Sequence, residues 1–278
     1  DLHSIVAWFR HELGLLACYG REPQLWLALL AGLALWALAY QAPFAYQIDI
    51  GGNQATRHQR HDDPFLSDFN ASEPPSLYDN PEVTPYRWTK EHAEIQLPGV
   101  GGGRWHVLVR ATSGRPDGSS IQTQWDAGSG PIRIQVDGRP TLYALEASAT
   151  PAGDLRLALD APPLPNAADR RTLGMVLYRV VVEPDTGPML PAPGQLALMA
   201  IMLALSYLLA RRLVWGTRGT MVFVLPLAVL GAALLVWARA GVALATPPLA
   251  LVLAGSYLLG ILGNAIYQRW LAPAVGAG

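Results

Sequence analysis

The sequence predicts a membrane α-helical protein with four transmembrane helices plus an extracytoplasmic all-β jelly-roll sandwich. Three observations carry that prediction. The stretches Leu25–Ile48, Gly187–Ala210, Gly219–Ala238 and Ala240–Gln268 contain no charged residue. A polar block of about 140 residues, the size of one domain, separates the first stretch from the other three. Inside that block, apolar and polar residues alternate with period two again and again.

Each uncharged run is long enough to cross a hydrocarbon core about 30 Å thick, which takes about 20 apolar residues in a helix. The transmembrane helices are placed at residues 24–47, 191–212, 219–239 and 244–268. Residues 1–22 precede them. There Leu2, Ile5, Val6, Phe9, Leu13 and Leu16 recur at helical spacing, which reads as an amphipathic helix on the cytoplasmic surface. Arg10 and Arg21 precede the first span; Arg211, Arg212 and Arg218 lie between the second and third; the short loop between the third and fourth has only Arg239; Arg269 follows the fourth. Arg in short loops marks the cytoplasmic side. Both termini are therefore expected in the cytoplasm of a multi-pass inner or plasma membrane protein, with residues 48–186 outside. Trp26, Phe44, Tyr46, Trp215, Trp237, Tyr267 and Trp270 stand near the predicted interfaces, where amphipathic rings settle. The spans themselves offer no buried ionisable residue, which argues against a pump or secondary transporter.

The strands of residues 48–186 are read from their alternation. Ala93, Ile95 and Leu97 form one inward set; Trp105, Val107, Val109 and Ala111 the next. Ile121, Thr123 and Trp125 follow, then Ile132, Ile134 and Val136, then Leu155, Leu157 and Leu159, and last Val176, Tyr178, Val180 and Val182. Their polar partners include His92, Glu94, Gln122, Gln124, Arg133 and Asp160. Glycine and proline clusters and the tight-turn pair Asp137-Gly138 separate the strands. Short one-faced strands with frequent turns imply two antiparallel sheets packed face to face. Residues 48–86 have weak periodicity and are expected to be an irregular covering segment.

Composition narrows the function classes. The chain has 278 residues and a formal net charge of -1, so no bulk basic field points to nucleic acid. Cys18 is the only cysteine, so no internal disulfide can form and the external domain is held by its own core. The chain begins at Asp1 and ends in the bland stretch Ala272–Gly278, and is expected to be a fragment of something longer.

Three segments have a familiar order: "YQIDIGG…DDPFLSDFNASE" after the first run, then "YRWTKEHAEIQLPG", then "DRRTLGMVLYRVVVEP" before the remaining runs. The order resembles the N-terminal part of GT-C-type, family-39-like bacterial membrane glycosyltransferases that carry a galactose-binding-like sandwich after the first span. That resemblance implies a polyprenyl-phosphate sugar donor and cell-envelope glycan assembly. It also implies a catalytic carboxylate just past the first span, the position of Asp49, acting as a general base.

Four further residues are candidates for substrate binding. Asp62 and Asp63, in a cluster with His58 and His61, carry the residue types that hold a divalent cation, although the spacing matches no defined metal loop and a solvated loop is the simpler reading. Trp88, Trp105 and Trp125 offer flat faces to a sugar. Trp105 and Trp125 are in phase with apolar neighbours and read as core, which leaves Trp88. Arg170, with Arg171, could meet a carboxylate or phosphate. No cofactor is identified from the residues themselves. The expected partners are the lipid bilayer, a glycan or lipid-linked sugar, and further membrane helices or subunits. The alternatives to a transferase are a non-enzymatic membrane-anchored module that binds glycan or protein, and an accessory subunit of a larger membrane complex.

Overall fold

A computed structural model describes residues 2–52, 62–73, 85–164, 170–213 and 216–266. His58, His61, Trp215, Tyr267, Arg269 and Trp270 lie outside the described residues. The chain divides into two compact units. One comprises residues 41–192; the other comprises residues 1–40 with 193–278.

Residues 41–192 form an antiparallel β-sandwich. The strands are β1 (Tyr46–Asp49), β2 (Leu66–Phe69), β3 (Arg87–Leu97), β4 (Arg104–Thr112), β5 (Ile121–Asp126), β6 (Pro131–Val136), β7 (Thr141–Ser148), β8 (Leu155–Asp160) and β9 (Val176–Pro184). In one sheet β9 lies between β4 and β1, and β7 extends the sheet beyond β4. The other runs β2-β3-β8-β5-β6. The eleven-residue β3 belongs to both sheets, because Arg87 and Trp88 pair with β9 while the rest pairs with β2 and β8. The predicted inward sets fill the space between the sheets. Ile95, Leu97, Trp105, Val107, Val109, Trp125, Leu157, Leu159, Val180 and Val182 are all buried. Each such side chain contributes about 1.5–3 kcal/mol when withdrawn from water.

The structure corrects three expectations about this unit. The described parts of residues 48–86 are not irregular cover: they supply β1, β2 and a 3-10 turn at Asp63–Phe65, and Ile48 and Ile50 are fully buried. Phe44 and Tyr46 are core residues, not interfacial ones; Tyr46 stacks between Phe44 and Phe65 at ring separations of 5.7 and 5.5 Å. Ile132 is 47% exposed because β6 is an edge strand with a neighbour on one side only.

The second unit holds α1 (Leu2–Gly20), α2 (Pro23–Ala39), α3 (Pro193–Arg212) and α4 (Thr217–Ile266). The first predicted span does not run to residue 47. Its helix ends at Ala39, four residues before Pro43, whose ring disfavours helical backbone just ahead of it. The expected count of four membrane helices is also corrected. Two helices are long and apolar enough to cross a membrane, or three if the pair Glu12–Gly20 and Pro23–Ala39, bent by 59°, is one span. The third and fourth runs are continuous in α4, whose backbone leaves helical dihedrals only at Ala238 (φ -147°, ψ 40°). A straight helix of that length would reach about 75 Å. Instead the ring of Tyr257 lies 5.9 Å from the Arg212 guanidinium, just before α4 begins, so α4 doubles back at Ala238.

Ion pairs join α1 and α2 to α3. Arg212 makes a two-pronged pair with Glu12 (2.6 and 2.9 Å). Arg211 reaches Glu22 at 2.7 Å, and Glu22 also accepts from the Tyr207 hydroxyl. At the break in α4, Arg239 is fully buried. Its Nη2 donates to the carbonyls of Ala39 (3.2 Å) and Tyr40 (3.3 Å), and its guanidinium stacks 4.6 Å from the Tyr40 ring. The expectation of no buried ionisable residue among the apolar runs fails here. A residue read as a loop charge instead satisfies helix-end carbonyls that have no intrahelical partner.

Candidate functional site

The β2-β3-β8-β5-β6 sheet turns one face to its own core and the other to solvent. On the solvent side, strand register aligns four polar residues in a single row. His92 on β3 faces Asp160 on β8, Asp160 faces Gln124 on β5, and Gln124 faces Arg133 on β6. Neighbouring strands stand about 4.8 Å apart, so the row extends about 14 Å across the strands. Glu91, Gln122 and Pro162 widen it into an open trough of about 260 Å³.

The chemistry of the trough is mixed and polar. Asp160 and Glu91 accept hydrogen bonds, Arg133 donates, and the amides of Gln122 and Gln124 do both. Thr123 also lines it, but its hydroxyl donates to the Ile134 carbonyl at 2.9 Å. His92 Nδ1 lies 2.8 Å from Asp160 Oδ1. That hydrogen bond raises the His92 pKa above its ordinary value; desolvation opposes it, and the charges of Asp160, Glu91 and Asp68 add to it. At the rim, the Pro162 carbonyl is fixed by Arg115 Nη2 at 2.7 Å. The trough carries charges of both signs: Asp160 and Glu91 are met by Arg133, and by His92 when its ring is protonated. Its donors and acceptors suit a ligand dense in hydroxyl groups.

None of the five residues singled out from the sequence lines this trough. Asp49 ends β1 and pairs with Arg179 directly across the ladder on β9, Nε to Oδ1 at 2.8 Å, while Gln47 donates to both carboxylate oxygens at 3.0 and 3.1 Å. The Asp49 carboxylate is thus already occupied by Arg179 and Gln47. Asp62 is fully buried. It accepts from the Gly51 N–H (2.6 Å) and from Arg87 Nε (2.7 Å) and Nη2 (3.0 Å). Asp63 is mostly exposed and takes the other prong of Arg87 Nη2 at 2.6 Å. Both acids are therefore engaged by Arg87. The Asp62 contact fixes the turn at Gly51, whose φ of +83° and close approach to the Tyr86 backbone leave no room for a side chain. Trp88 is half-buried with its ring laid over Gly114, itself at φ +64°. Arg170 is exposed, beside Arg171, which pairs with Glu73 at 2.8 Å.

The trough residues were visible in the sequence only as the polar half of each alternating strand. Which polar halves would adjoin depends on the order β3-β8-β5-β6, and no local pattern states that order.

No family model matches the chain, and no curated protein matches it, so the GT-C resemblance receives no support. Solved structures match about half of the chain. A plant complex of the peptide RALF23 with FER and LLG2 matches at 13% identity over 52% of this chain and 50% of that one, with a TM-score of 0.38. A family 35 carbohydrate-binding module from Clostridium thermocellum matches at 9% identity over 50% of this chain and 97% of the module, TM-score 0.31. A CBM35 module from Cellvibrio japonicus Abf62 matches at 10% identity over 54% and 98%, TM-score 0.32. The chain thus spans half the length of the plant structure and nearly all of either module. With every score below 0.5, these likenesses carry no argument about ligand, activity or partner.

Proposed function

We propose that this chain is a membrane-anchored glycan-binding module of the cell envelope, and that the trough on the outer face of the β2-β3-β8-β5-β6 sheet is its binding surface. The observation that supports the reading is the row His92–Asp160–Gln124–Arg133, which offers alternating acceptors and donors along about 14 Å. That length suits a short oligosaccharide lying across the strands. The trough is shallow and its charged groups are of both signs, so the ligand class is a neutral or weakly charged glycan bound at about micromolar to millimolar Kd. A transferase reading would first require Asp49 to be released from Arg179.

The anchoring half of the proposal has the sandwich outside the membrane and both termini inside. Positions that share one cavity in the helical unit are mirrored about Ala238: Phe223 with Leu253, Leu227 with Leu249, Leu230 with Thr246, and Leu234 with Val242. That symmetry supports two crossings for α4.

Calorimetric titration of the detergent-solubilised chain with soluble oligosaccharides tests the binding reading. Gln124→Ala and Asp160→Ala are expected to weaken binding by about tenfold or more, since each deletes one or more hydrogen bonds to ligand. Arg170→Ala, away from the trough, should leave it unchanged. Absence of binding across a broad glycan panel would sink the proposal. For the topology, Cys18 should react only with thiol reagents supplied from the cytoplasmic side. A Ser129→Cys variant lacking Cys18 should react from the other side.

A further inference from the structure

A second cavity lies among the apolar helices. It measures about 410 Å³ and is lined by Trp36 of α2, by Met199, Met202, Leu203 and Ser206 of α3, and by both halves of α4. On each half of α4 the lining runs from Phe223 to Leu234 and from Val242 to Leu253, so its end residues stand about eleven helical rises apart. At about 1.5 Å per residue the cavity is a slot about 16 Å long. Its volume spread over that length gives a cross-section of about 25 Å², the width of one extended hydrocarbon chain. A methylene takes about as much room as a water in the liquid, about 30 Å³, so the slot holds roughly a dozen carbons.

The polar atoms in the lining are already engaged within the protein. Trp36 Nε1 donates to the Ala228 carbonyl at 2.9 Å and Ser206 Oγ to the Met202 carbonyl at 2.8 Å. Thr246 Oγ1 accepts from Gln195 Nε2 at 2.8 Å and donates to the Val242 carbonyl. Nothing remains to orient a polar ligand. A helix does not fit either. At about 10 Å across it would fill this volume with a single turn. Leu234 and Leu249, at the margin, are 41% and 49% exposed, so the slot is reached from the side that faces hydrocarbon.

We propose that this slot holds one acyl chain of a membrane lipid as a resident ligand. The inference rests on the membrane reading of α3 and α4. Hydrocarbon gains little from leaving other lipid, so the driving force is van der Waals contact with Trp36, the methionines and the leucines, contact that an unfilled slot would forfeit.

The test is native mass spectrometry of the full chain, reconstituted in dioleoyl phosphatidylethanolamine and phosphatidylglycerol vesicles and re-extracted in mild detergent. The wild type is expected to carry one phospholipid per chain. Ala245→Phe and Leu249→Trp, which fill the slot from two positions, should each lower that occupancy about tenfold. Leu251→Phe, on a residue that is 74% exposed and outside the slot, should retain it. Equal retention by all four proteins overturns the proposal. So does a wild type that enters vesicles yet retains no lipid, or one that retains a polypeptide instead. A wild type that fails to enter vesicles overturns the membrane reading and the slot with it.

Discussion

Asp62 and Arg87 are the pair whose removal is expected to cost most. The carboxylate is fully buried and holds both Arg87 and the Gly51 N–H. Arg87→Met leaves that charge uncompensated and is expected to destabilise the sandwich by about 3–5 kcal/mol, read from the denaturant midpoint of tryptophan fluorescence. A midpoint unchanged from wild type would mean Asp62 has other support. The sequence displayed Asp62 and Asp63 as an acidic cluster, but not the arginine 25 residues further on that neutralises them. His92 behaves differently because it is exposed. Its hydrogen bond to Asp160 raises its pKa above the ordinary 6.5. Since the folded value is the higher one, the pair's contribution to stability is complete below about pH 6.5 and is lost as pH rises through the raised value. Ring-proton NMR should show the His92 midpoint falling back toward 6.5 in Asp160→Asn. A midpoint that does not move would deny Asp160 its role.

Among the elements, α4 departs furthest from the expectation. A short loop containing Arg239 was expected between two helices; a single non-helical residue makes the turn, and Arg239 folds inward. Charge counting places such a residue in water, because composition does not record that α2 ends with open carbonyls at Ala39 and Tyr40. Arg239→Met keeps the volume and deletes those bonds. The expected loss is about 1–3 kcal/mol, measured as a lower thermal midpoint in detergent, with Arg239→Lys in between. An unshifted midpoint would show that the carbonyls find other donors. In the strands, alternation located β3, β4, β5, β8 and β9 well, since each buries one face. It missed β1, β2 and β7 (Thr141–Ser148). In β7 an exposed Leu142 and Ala144 blur the pattern.

At the level of the whole chain, the division into a helical unit and a strand-rich unit was legible, because uncharged runs and period-two runs stay apart in this sequence except at the end of the first run, where Tyr46–Ile48 belong to β1. The binding trough was not. It is made of side chains from β3, β5, β6 and β8 that come together only through strand order. The strand they depend on is β3, which is hydrogen-bonded into both sheets. That arrangement has a consequence for how the sandwich comes apart. Neither sheet can fray past its margin without loosening the other. Amide protons in β8 and β9 should therefore exchange with deuterium through one shared opening, at a common free energy, as a single foldon. Well-separated opening energies for the two strands would mean that β3 can release one partner while keeping the other.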